Sequence, residues 1–140
     1  MIDLYCEECG ATLSNSMSCW DMLGEIIAWE AQDPELLAEH FLTVASYNLQ
    51  HPAQFAEGLV PQLQTSFISY LDGTLTLEQI RLQTRRAYNG AKRVLKPEAE
   101  RRPVQRHWPM TIADVYLDAQ PEGAAERVRA WANSIRQELI

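Results

Sequence analysis

Three cysteines and three histidines carry most of the metal and nucleophile chemistry open to this 140-residue chain. Two of the cysteines stand as Cys6-Glu-Glu-Cys9-Gly10. Thiolates at this spacing can chelate one ion, and the glycine after them permits the left-handed backbone that aims amides at sulfur. The N-terminus Met-Ile-Asp-Leu-Tyr-Cys has neither a basic stretch nor an apolar core of the kind that directs export. A cytoplasmic setting is therefore expected, and there paired cysteines suggest metal before disulfide. A redox dithiol is the weaker reading. Two intervening glutamates would raise the thiol pKa that such chemistry needs lowered, and no βαβ context surrounds the pair.

The remaining soft ligands are Cys19, His40, His51 and His107. Helical periodicity predicts helix A over 18–32 and helix B over 34–50, joined at Asp33-Pro34 and hence packed antiparallel. His40 and His51 are eleven residues apart, about 16 Å along a helix, so they cannot serve one ion. Cys19 opens helix A and His51 closes helix B, both at the end where the N-terminal arm enters. The expected site is therefore a structural zinc bound by Cys6, Cys9, Cys19 and His51. Two plainer readings stay open: Cys19 as a small core residue, and His51 as a histidine favoured by the negative end of a helix dipole.

The same antiparallel packing sets Glu30 beside His40 at the opposite end. A carboxylate that fixes an imidazole could work as a general acid/base, or the two could ligate a second metal with His107 as a third donor. A buried polar contact that sets helix register explains them equally. No serine or cysteine nucleophile with an adjacent base, no phosphate loop and no dinucleotide fingerprint accompanies them. Tyr47 and Gln50, close to His51, are the expected supports of the metal ligands.

These residues need a scaffold, and the chain reads as helix after helix. After A and B come helices over 54–71 (with a kink at Pro61), 76–95, 111–117 and 122–139. Thr76–Gln79 and Thr111–Asp114 are capping boxes, and Ser16 or Ser18 caps helix A. Trp20, Leu23, Ile27 and Glu30 mark one face of helix A; Ala125, Val128, Trp131, Ala132 and Ile135 mark the buried stripe of the last helix. The expected fold is an all-α, single-domain helical bundle over 1–140, with a knuckle-like arm at 1–15 packed on helices A and B. Hydrophobic residues make up 46% of the chain, enough for a core, while no apolar run is long enough to span a membrane. Residues 1–80 hold twelve carboxylates and no Lys or Arg, whereas residues 81–140 hold all twelve basic residues against seven acids. The basic stretch Arg81–Arg106 is expected to pack across the acidic half of this chain or of a second copy, which leaves homo-oligomerisation open. A net charge of −7 and the lack of aromatic–basic interleaving speak against nucleic acid.

Cys6–Gly10, Cys19, the segment His40–Pro52 with His40-Phe41-Leu42-Thr43-Val44 and Tyr47-Asn48-Leu49-Gln50-His51-Pro52, and Trp108-Pro109-Met110-Thr111-Ile112-Ala113-Asp114-Val115 together resemble a family of small prokaryotic proteins known only as a domain of unknown function. Val128–Ala132 is similar as well. Phe41 departs from that pattern, in which a second histidine or another polar residue often follows the first. The resemblance implies no chemistry; it adds Gln50 and Trp108–Asp114 to the positions of interest, with Trp108 read as a core anchor. The expected function is a soluble helical protein with a structural zinc site. Its rivals are a metal-assisted hydrolase using Glu30 and His40, and a partner- or polyanion-binding module acting through Arg81–Arg106.

Overall fold

Four of the helices begin where a side chain takes up amides that a first turn leaves unpaired. In the computed structural model, which describes residues 4–13, 17–56, 58–87, 95–103 and 105–140, α1 (Cys19–Trp29) opens on a capping box. Ser18 Oγ accepts from the Asp21 amide at 3.1 Å, and the Asp21 carboxylate accepts from the Ser18 amide at 2.9 Å. Asp33 caps α2 (Pro34–Ala38). Thr76 and Gln79 cap α5 (Leu77–Ala87) reciprocally, and Thr111 with Asp114 caps α6 (Ile112–Tyr116). Between them lie α3 (His40–Gln50) and α4 (Leu59–Leu71), and α7 (Ala124–Leu139) closes the chain. The protein is thus a mostly helical single domain. Among the described residues no helix is long and apolar enough to cross a membrane.

The core is built around α3 and α7. The former buries Leu42, Thr43, Ala45, Ser46, Tyr47, Leu49 and Gln50, and the latter buries Ala124, Val128, Trp131, Ala132 and Ile135. Trp131 is fully enclosed and Phe67 of α4 packs with it in the same cluster. On α1 the buried line is Cys19, Met22, Leu23 and Ile26, continued by Glu30 in the 3₁₀ turn Glu30–Gln32. The expected face is therefore rotated. Trp20 stands 66% exposed, with only its edge against the Tyr47 ring, because Cys19 takes the inward position.

The expected N-terminal knuckle is a small hairpin, β1 (Leu4–Tyr5) antiparallel to β2 (Thr12–Leu13), its strands too short to show alternation in sequence. Further expectations are corrected. Helix B is two helices, because the backbone leaves helical geometry at Glu39. Glu39 faces α7, where Arg129 grips it at 3.0 Å, while His40 turns to Glu30, so neighbouring residues serve different elements. The next helix starts at Leu59, not at 54, after the 3₁₀ turn Pro52–Gln54. Pro61 then sits in the first turn of α4, where no amide is needed, and the helix runs as one element from Leu59 to Leu71. The fourth expected helix is helical over Leu77–Ala87, and its expected end, Leu95, is instead bridged antiparallel to Phe55; residues 88–94 and 14–16 lie outside the described residues.

Candidate metal centre

The hairpin bends back through Gly10, whose φ of +82° lies in the left-handed region. This turn lets the Gly10 amide donate to the Cys6 carbonyl and the Cys6 amide donate to Ala11. It also aims the Ala11 amide at Cys9 Sγ, 3.4 Å away, the sulfur-directed bond the glycine was expected to permit. A second tie comes from far along the chain. The Arg106 amide donates to the Glu8 carbonyl and the Trp108 amide to that of Cys9. The Arg106 guanidinium lies 3.9 Å over the Trp108 ring. Trp108 is only partly buried against the core; the anchor is Trp131.

Cys19 and His51 complete the group from the helices. Cys19 is the first residue of α1, and His51 ends α3. Their ligand atoms and those of Cys6 and Cys9 all lie within 4.8 Å of one another, in a largely buried cluster that could hold a metal ion. Cys9 Sγ and Cys19 Sγ are 3.7 Å apart, and Cys6 Sγ and His51 Nε2 are 3.6 Å apart. His51 is oriented from behind: Nδ1 donates to the Tyr47 carbonyl at 2.7 Å, and the Tyr47 ring stacks on the imidazole at 4.1 Å. With Nδ1 so engaged, Nε2 faces the sulfurs. Tyr47 is thus a support, through its backbone and its ring face rather than its hydroxyl.

The electrostatics of the metal-free cluster are those of a thiolate–imidazolium group. Contacts from Cys19, Cys9 and His51 hold the Cys6 thiol far below its ordinary value. The reciprocal contacts with Cys6 and Cys9, joined by burial, push Cys19 up. Burial alone would lower the His51 pKa, but hydrogen bonds to Cys6, Cys9 and the Tyr47 carbonyl raise it to about 10. Four donors in one closed group, with a preset imidazole tautomer, suit an ion better than they suit an apolar core.

Gln50 has a different role from the one expected. It is 1% exposed, donates to the Met110 carbonyl at 2.7 Å and accepts from Trp131 Nε1 at 3.2 Å. It ties α3 to α7 and to the loop before α6. Sequence reading missed this bridge, since its partners lie 60 and 81 residues away.

At the far end of α1, His40 Nδ1 lies 2.8 and 2.9 Å from the two Glu30 carboxylate oxygens. Glu30 is buried, but His40 is 49% exposed, so the pair caps a helix junction rather than occupying an interior. His107 is not near it. Its ring stands against Gly10 of the hairpin, 2.9 Å from where a Cβ would be. Among the described residues no second group of three or more potential ligands forms, so Glu30 and His40 are not joined there by His107 as a third donor. The basic stretch is split. Arg81, Arg85 and Arg86 project from α5 into solvent, while Arg101 and Arg102 donate to nearby backbone carbonyls. Among the described residues, the ion pairs between the acidic and basic halves, Arg129–Glu39 and Arg136–Asp72, come from α7.

Fold and cluster together define a helical domain whose N-terminal hairpin is joined to two helices through a Cys3His group. The chain belongs to DUF5946, a family of unknown function, whose model matches residues 5–140. No curated protein and no solved structure matches it.

Proposed function

We propose that the Cys3His group is a structural zinc site and that the protein is a small cytoplasmic domain whose N-terminal arm is held by that ion. The observation that carries this reading is metric. A tetrahedral zinc with Zn–S of about 2.3 Å and Zn–N of about 2.0 Å has S···S edges of about 3.8 Å and S···N edges of about 3.6 Å. Cys9–Cys19 at 3.7 Å and Cys6–His51 at 3.6 Å fall on those edges. A disulfide, at about 2.05 Å, does not describe them. Four protein ligands leave no open coordination position, which is the mark of a structural rather than a catalytic zinc.

The energetics point the same way. Two paired residues per strand cannot hold a hairpin in water by themselves. Structural zinc binding is worth roughly 10–16 kcal/mol in small domains, comparable to the whole stability of a domain this size. The ion would fasten the arm to the start of α1 and the end of α3 at once. Metal analysis of untagged protein purified without chelator tests this. About one zinc per chain is expected, with most of it lost in Cys19→Ser; a metal-free protein with three freely titratable thiols would refute it.

A second reading rests on the Glu30–His40 pair. A carboxylate holding Nδ1 at 2.8 Å on a half-exposed ring leaves Nε2 directed outward, the arrangement of a general base. A hydrolase built on it would lose activity in Glu30→Gln and His40→Ala while keeping its zinc; equal activity in both variants would reduce the pair to a helix fastener.

A further inference from the structure

A cleft of about 790 Å³ opens between α3, α4 and α5. Its walls include Phe41, Phe55, Leu63 and Ile80, and its polar atoms come from amides and hydroxyls such as Asn48 and Gln83. Of the thirteen described residues that line it none is ionisable, although 22% of the chain is charged. The charges of α5 are turned elsewhere: Arg81, Arg85 and Arg86 are exposed, whereas Ile80, the one buried residue among those of α5 described, lies in the cleft wall with Gln83 and Thr84. Phe41 is held in place by the edge of Tyr70, with ring centroids 5.0 Å apart. None of the four cluster ligands borders the space.

We infer that this cleft binds a neutral, mainly apolar small molecule that presents one hydrogen-bonding group to Asn48 or Gln83. Its volume lies in the roughly 300–1,000 Å³ range of sites that enclose a drug-sized ligand. An anionic or cationic ligand would surrender its hydration without a counter-charge among the described wall residues. Concavity favours a small molecule over a flat protein face, and apolar walls with a few convergent amides are the usual composition of such sites. The inference is independent of the zinc reading, since the two sites share no side chain.

The test is a fluorescence titration of the full-length, metal-loaded protein with Nile red, a neutral dye, followed by competition with oleyl alcohol and with oleate. One saturable dye site per chain is expected, with displacement by the alcohol and at least about tenfold weaker displacement by the carboxylate. Gln83→Arg and Thr84→Arg, both on α5 and each placing a charge in the cleft, should weaken dye binding about tenfold or more. Leu82→Arg, on the exposed face of the same helix, should leave it unchanged. Circular-dichroism melts of the three variants confirm that each is folded. Absence of saturable binding, or equal binding by all three variants, overturns the site. Displacement by oleate as readily as by the alcohol overturns the neutral class. A concentration-dependent doubling of mass that abolishes dye binding would assign the cleft to a second copy of the chain instead.

Discussion

His51 donates a hydrogen bond from Nδ1 to the carbonyl of Tyr47, one turn earlier on the same helix, at 2.7 Å. That bond selects the tautomer in which Nε2 is bare and aims it at Cys6. Backbone and ring face do this work, not the phenol. Tyr47→Phe is therefore expected to keep its metal, whereas Tyr47→Ala, which loses the stacked ring, should bind zinc about 10–100-fold more weakly, the scale of lost ligand-orienting contacts. Competition with a chromogenic chelator measures both; equal affinity in wild type and Tyr47→Ala would show that the stacking is incidental.

Zinc needs thiolates and a neutral imidazole, so its affinity should fall as pH is lowered and its uptake should release protons. Without metal, His51 is raised from 6.5 to about 10, while the Cys6 thiol is held far below its ordinary 9.0. The raised histidine adds stability that is complete below pH 6.5 and is lost as pH rises toward 10; the lowered thiol adds stability that is complete above pH 9.0 and is lost as pH falls. Between 6.5 and 9.0 the two slopes oppose, so melts of chelated wild type should change little with pH, whereas His51→Gln, which keeps the Cys6 contacts to Cys9 and Cys19, should gain stability as pH rises. A chelated wild type that follows the same rising course as His51→Gln would contradict the thiolate–imidazolium description.

Gly10 stands where a side chain is doubly unwelcome. Its φ is +82°, and an added Cβ would meet His107 Nδ1 at 2.9 Å. The ring of His107 is exposed and can swing aside, so the backbone strain decides. Gly10→Ala should cost about 1–2 kcal/mol, and adding His107→Ala should recover only a small part of it. Denaturant titration of the single and double variants distinguishes this from a steric origin, which the second substitution would relieve in full.

Gln50 satisfies two partners inside the core. Gln50→Leu keeps much of the volume but leaves the Trp131 indole N–H and the Met110 carbonyl unpaired, at about 1–3 kcal/mol each. Trp131→Phe in that background removes one orphan donor. The two changes should therefore combine to less than their sum plus the usual scatter. Strict additivity would mean that the bridge contributes little.

Leu117, Asp118 and Ala119 have φ of 45°, 53° and 66°, three consecutive left-handed residues with no glycine among them. Arg127 holds this turn from α7 by donating to the Val115, Gln120 and Glu122 carbonyls. Ala119→Gly should stabilise the protein by up to about 1–2 kcal/mol by removing that strain, and Arg127→Ala should destabilise it. A glycine that destabilises would place the strain elsewhere.

Much of the frame was legible because it is local. The capping pairs at Ser18, Thr76 and Thr111 each involve residues three apart, and helix rise alone separates His51 from His40. Convergence of Cys19 and His51 with the Cys6–Cys9 turn needed one assumption, antiparallel packing of neighbouring helices, and the four side chains do meet. What could not be read was long-range or without punctuation. Nothing at Glu39, neither glycine nor proline, announces the break in helix B. The clasp of Arg106 and Trp108 on the hairpin is made by backbone atoms almost a hundred residues away. Hairpin strands of two residues are shorter than any alternation that could reveal them, and the exposure of Trp20 follows from Cys19 claiming the inward direction beside it.

X-ray absorption at the zinc edge of the purified protein tests the central claim most directly, because it counts ligands by element and distance. A tetrahedral shell of three sulfurs at about 2.3 Å and one nitrogen at about 2.0 Å is predicted, with two sulfurs around the small fraction of zinc that Cys19→Ser retains. A shell of oxygen and nitrogen alone, or one unchanged by that substitution, would contradict a Cys6–Cys9–Cys19–His51 site.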